Sequence, residues 1–136
     1  MNLASAFSNT PWEQLRRALD GGTLVIYSVA RPTNPDYKVQ RSGVLATFTF
    51  ASPGFAAEKP LFVANPVVAS GTGTPGFARA FAADGLAVAD FSAGPGNAEI
   101  KLNEVSCTSG FPITFLELKP TLASESSPTL EDVAAS

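Results

Sequence analysis

Eleven glycines and eleven prolines divide this 136-residue chain into short segments, and that punctuation constrains its fold more than any other feature. Short segments broken by turn formers favour strands over long helices. The breaks are distributed along the whole chain, and the length fits one domain with one sandwich-sized core. Ten phenylalanines, against one Trp and two Tyr, are the natural material for that core.

One helix is expected. Thr10-Pro11-Trp12-Glu13 predicts a start with Thr10 as N-cap, Pro11 at the first helical position and Glu13 closing a capping box. The helix runs through Leu19 and stops at Gly21-Gly22. Trp12, Leu15 and Leu19 share one face, so the helix closes an end of the fold.

Beyond Gly22 the patterns are those of strands. Thr23–Val29 is β-branched, and Gly43–Phe50 alternates, with Val44, Ala46, Phe48 and Phe50 on one side and Leu45, Thr47 and Thr49 on the other. Ser52-Pro53-Gly54 should end that strand. Leu61–Ala64 and Val67–Ser70 are short strands separated by Asn65-Pro66, a break that implies an edge or a bend. Phe77–Ala82 and Leu86–Ser92 flank Asp84-Gly85, which predicts a tight two-residue hairpin turn. Ala98–Leu102 points Ala98, Ile100 and Leu102 inward and Glu99 and Lys101 outward. Glu104–Cys107 follows, and Phe111–Leu118 is the final strand.

The expected fold is therefore all-β: a jelly-roll-like or Greek-key sandwich of seven to eight short strands with one capped N-terminal helix. Residues 1–9 are read as an N-terminal arm, 10–119 as the sandwich and 120–136 as an extended tail rich in Ser and acids. Leu24, Ile26, Phe48, Phe50, Val88, Ile100, Ile113 and Phe115 are the expected buried set.

Charge narrows the function classes. Only 15% of residues are charged, against about 25% in typical domains. The net charge of −3 lies in the tail, where Glu125, Glu131 and Asp132 face no base. The other nine acids balance all nine bases. No basic cluster exceeds Arg16-Arg17, so no nucleic-acid face is expected. The N-terminus lacks the charged and apolar regions of a signal peptide, and no apolar run is long enough for a membrane span, which predicts synthesis in a cytoplasm without membrane insertion.

Catalytic chemistry has little to draw on. The chain holds no histidine, which removes the commonest general base and zinc ligand. Cys107 is the single cysteine and alternates with Val105 as a small core residue does. Asp84 belongs to a turn, and Glu99, Glu104 and Glu117 fall at solvent-facing strand positions. The Gly-rich stretches 71–76 and 92–96 lack the Lys-Ser/Thr ending of a phosphate loop. Neither catalytic residues, cofactor-binding residues nor metal ligands are assigned, and no cofactor is expected. Arg79, between Phe77 and Phe81 on one strand face, is expected to pair with Asp90 across the hairpin, the alternative being a contact residue.

From Leu19 to Leu118 the order of features resembles a group of small tailed-bacteriophage virion proteins. A helix end leads into a strand of the type Gly22-Thr23-Leu24-Val25-Ile26-Tyr27-Ser28, and a Pro-containing loop follows. A strand like Ser42–Phe50 comes next, with Pro53-Gly54-Phe55 after it. Then come Gly73-Thr74-Pro75-Gly76-Phe77-Ala78-Arg79-Ala80-Phe81-Ala82-Ala83-Asp84-Gly85, a segment like Ala98–Asn103, and a last strand like Ile113–Leu118. Gly76-Phe77 departs from the pattern, because an aromatic such as Trp is common there. The resemblance implies a non-enzymatic virion structural protein. The expectation is a capsid decoration or cement protein that contacts the major capsid protein and copies of itself, a trimer being one form. The alternative is a tail- or fibre-associated module that binds a tail protein or a host-surface glycan.

Overall fold

A computed structural model describes residues 2–28, 43–56, 59–94, 98–103 and 106–120. The expected loop Ala30–Ser42, Glu104 and the tail beyond Pro120 lie outside the described residues. Ten strands and one α-helix are present among the described residues: β1 (Asn2–Leu3), α1 (Trp12–Ala18), β2 (Thr23–Tyr27), β3 (Val44–Ala56), β4 (Lys59–Phe62), β5 (Val67–Val68), β6 (Phe77–Phe81), β7 (Ala87–Ser92), β8 (Ile100–Leu102), β9 (Pro112–Ile113) and β10 (Phe115–Leu118). Six form one antiparallel sheet in the order β1-β7-β6-β2-β3-β4, and the pairs β8–β10 and β5–β9 form two small sheets. The fold is all-β and sandwich-like.

The core lies between the large sheet and the small pairs. Leu24, Ile26, Phe48, Phe50, Val88 and Phe91 from the large sheet cluster with Ile100, Ile113, Phe115 and Leu118 from the small ones. All eight residues of the expected buried set are buried. Aromatic rings link the layers: Phe115 meets Phe48 edge-on at 5.9 Å and Phe62 at 4.9 Å, and Phe62 continues to Phe50 at 5.1 Å. Phe50 stacks on Phe55, which meets Trp12 of α1 edge-on at 5.8 Å. Leu15 and Leu19 are buried below it, so α1 closes one end of the core as its apolar face requires.

The start of α1 differs from the expected capping box. Pro11 occupies the N-cap position with no side-chain cap, and its carbonyl accepts the N–H groups of Gln14 and Leu15 at 3.0 Å. Glu13 pairs instead with Arg17 at 3.0 Å, one turn on. A carboxylate in the first turn of a helix can take a cation one turn on as its i,i+4 partner.

Three strand readings change for identifiable reasons. Leu45 is buried, although alternation places it outward. The ladder shifts between Ile26↔Ala46 and Tyr27↔Val44, so Leu45 is the extra residue of a bulge and turns inward. β3 also runs past Ser52-Pro53-Gly54. The register shifts again between Phe50↔Phe62 and Phe55↔Pro60, and the Gly54 N–H finds the Asp20 carboxylate at 2.7 Å. Pro-Gly therefore bends this strand at a bulge rather than ending it. The expected final strand Phe111–Leu118 splits, because Ile113 pairs with β5 while Phe115–Leu118 pairs with β8.

The Asp84-Gly85 turn is longer than expected. Gly85 donates to the Ala82 carbonyl, Ala82 donates to the Leu86 carbonyl, and Gly85 alone in the turn has positive φ, at 89°. That makes a three-residue loop with a glycine bulge, and Asp84 accepts the Leu86 N–H at 2.9 Å.

The expected arm joins the fold. β1 pairs with β7 through Asn2↔Asp90 and Leu3↔Ala89, Ala4 is buried and Phe7 packs against the core.

At the other end of β6, Gly22 lies against backbone, and a Cβ there would collide with the Phe81 carbonyl oxygen. Gly22→Ala is expected to destabilise the domain by about 1–3 kcal/mol, the usual cost of overpacking. Chemical denaturation should show a lower midpoint at unchanged slope; an unchanged midpoint would mean that the Phe81 carbonyl does not lie against Gly22.

Candidate functional site

The side chains with chemical potential gather on the second face of the large sheet. Alternation along β6 sends Ala78 and Ala80 into the core and Phe77 and Arg79 to the opposite face. Arg79 is 4% exposed and its cross-strand partner Asp90 is 0% exposed. Arg79 Nε donates to Asp90 Oδ1 at 2.7 Å and Nη2 to Oδ2 at 3.1 Å, a bidentate pair. The expected pairing across the hairpin is present, and it is deeply buried.

Neighbouring rings enclose the pair. Phe77 lies under the guanidinium, 5.7 Å from ring centre to Cζ, and stacks on Tyr27 at 4.9 Å. Burial lifts the Tyr27 phenol above its ordinary range, while Arg79 opposes the rise and Asp90 adds to it. The phenol is therefore neutral at physiological pH. Because its pKa rises on folding, its contribution to stability is present below the unfolded value and is lost as pH climbs past it.

Glu99 departs from the outward position expected of it: it is 4% exposed. Its carboxylate accepts the Ser92 N–H at 3.0 Å, its own N–H donates to Ser92 Oγ at 2.9 Å, and its carbonyl accepts the Lys119 N–H at 2.7 Å. Glu99 thus ties the end of β7 to the end of β10. It precedes β8 rather than lying within it, so strand alternation does not govern its direction.

The other titratable candidates are dispersed. Cys107 is buried beside Gly73, with which it exchanges two backbone hydrogen bonds, and burial raises its thiol pKa. A raised thiol holds less of the nucleophilic thiolate. Asp84 serves its turn, and Glu117 pairs with Lys119 at 3.2 Å. Among the described residues no group of three His, Cys, Asp or Glu side chains could hold a metal ion. No helix among them is long and apolar enough to cross a membrane.

What the surface offers instead is apolar contact. Val63, Val68, Phe111 and Leu116 are exposed around the small sheets. Phe111 is 62% exposed and borders a recess with Asn103, Thr108 and Pro112. Leu116 is 59% exposed beside a groove of about 560 Å³ between β4 and β10. Asn65 is part of the groove's lining: its amide donates to the Phe115 carbonyl at 3.0 Å and accepts the Phe115 N–H at 2.8 Å. A side chain here does the work of a neighbouring strand. Sequence reading missed it, because Asn before Pro signals a break and does not reveal which backbone the amide will meet.

Comparison with protein-family models, with curated proteins and with solved structures found no match.

Proposed function

We propose that this chain is a non-enzymatic structural protein of a tailed-phage virion, one that decorates and stabilises the capsid shell by contacts with the major capsid protein and with copies of itself. The observation that carries this reading is the division of labour between surface and interior. Arg79, Asp90 and Glu99 are spent inside the domain, while Val63, Val68, Phe111 and Leu116 face outward. Exposed apolar side chains supply contact area that a partner can bury, and a symmetric shell multiplies one modest contact many times. The resemblance of Leu19–Leu118 to small virion proteins points the same way.

A second reading is a tail- or fibre-associated module. The exposed Phe111 ring beside Asn103 and Thr108 favours it, since an aromatic face next to amide and hydroxyl groups suits stacking and hydrogen bonding to a host glycan.

The two readings differ in stoichiometry. A decoration protein is expected in purified virions in proportion to the shell subunits, on the order of hundreds of copies. Its attachment should survive moderate salt, because apolar contacts are not screened, and it should raise the heat resistance of the particle by binding the assembled form. The measurement is its ratio to the major shell protein in intact particles, tail-less heads and isolated tails. Co-purification with tails and absence from tail-less heads would replace the decoration reading with the tail reading.

A further inference from the structure

The groove between β4 and β10 has a built interior and an unfilled apolar rim. Lys59 and Pro60 line it from β4, Phe115, Leu116 and Glu117 from β10, and Asn65 and Lys119 complete the lining. Its volume of about 560 Å³ is in the range of sites that hold a compact ligand or a short peptide segment. Two lysines and one acid line it: Lys119 pairs with Glu117 at 3.2 Å, and Lys59 has no acidic partner among the described residues.

Acids that could answer Lys59 lie in the segment that follows. Residues 1–119 are neutral, and residues 121–136 hold Glu125, Glu131 and Asp132 without a base. The same segment carries Leu122, Leu130 and Val133. Those are the two chemistries of the groove in complementary form: apolar side chains for Leu116 and Pro60, and a carboxylate for Lys59.

The chain leaves the domain at this groove, since Lys119 is part of its lining and Pro120 comes next. The groove lies back along β10 from Lys119, so a segment of the same chain would have to reverse to enter it, whereas a second copy can deliver the segment without a reversal.

We infer that the β4–β10 groove receives the C-terminal segment, residues 121–136, of a second copy of this chain. This deepens the self-association part of the proposed function and rests on that part alone. The arrangement is an arm exchange, in which each copy supplies one segment and one groove.

Sedimentation of the full-length protein without particles tests it. Association should depend on protein concentration and weaken with salt. Leu116→Asp alters an exposed side chain of the groove, and Glu131→Lys with Asp132→Lys alters only the segment. Each variant is expected to weaken association at least tenfold. Mixed in equal amounts, the two variants should associate again, because each supplies the intact half that the other lacks. Lys59→Glu should likewise be weakened, and combining it with Glu131→Lys should restore part of the loss. The segment variant leaves every described residue unchanged, so its effect does not depend on whether Leu116→Asp folds.

A chain that stays monomeric at every concentration overturns the inference, as does association unaffected by the segment variant or a mixture that fails to recover. Such failure leaves shell binding open, since copurification with particles measures that separately.

Discussion

Phe48→Ala is expected to remove about 3–5 kcal/mol of folding stability, the usual range for deleting a fully buried phenylalanine. Phe48 has no exposed surface and touches both layers: Phe62 of the large sheet at 5.2 Å and Phe115 of the small β8–β10 pair at 5.9 Å. Truncation leaves a void lined by those rings, and rings held by two separate sheets cannot collapse into it together. A domain of this size has about 5–15 kcal/mol in total, so the variant should unfold at a far lower denaturant concentration or fail to accumulate. Phe111→Ala is the control. That ring is mostly exposed, and its loss should stay within about 0.5 kcal/mol. Equal effects from the two substitutions would mean that the small pairs do not pack over the large sheet.

The second large effect concerns charge. Asp90→Ala is expected to cost about 3–5 kcal/mol, because it strips a buried guanidinium of its bidentate carboxylate. Glu13→Ala breaks a pair of similar length on the surface of α1, where solvent already screens both partners, and should cost less than about 1 kcal/mol. The contrast comes from burial and from the second hydrogen bond of the Arg79–Asp90 pair. Replacing both members, as Arg79→Met with Asp90→Leu, should recover much of the loss, since two desolvated charges disappear together. The measurement is a double-mutant cycle on equilibrium unfolding, which isolates the coupling between the two positions. A coupling as small as that of the Glu13–Arg17 pair would show that the second face of the sheet is open to water.

Much of this fold was legible in the residues. The helix face of Trp12, Leu15 and Leu19, the eight buried strand positions and the pairing of Arg79 with Asp90 all follow from periodicity and from the hairpin between Phe77 and Ser92. Periodicity reports which side of an element is apolar, and a short hairpin fixes which residues face each other. The all-β class follows equally from the spacing of Gly and Pro. The proposed tailed-phage role, by contrast, rests on a resemblance and on no local feature.

The tertiary structure decided what depends on distant partners. Leu45 turns inward because β3 holds one residue more than β2 at that point, and a count of facing residues exists only once strands are paired. Pro53-Gly54 bends β3 without ending it because Asp20, 34 positions away, takes the Gly54 N–H. Glu99 is buried because Ser92 and Lys119 converge on it, and Asn65 stands in for a strand because Phe115 arrives beside it. The groove at β10 exists for the same reason. Local sequence sets the direction of a side chain along its own element, whereas its partner, its burial and its surface neighbours are set by residues that only folding brings near.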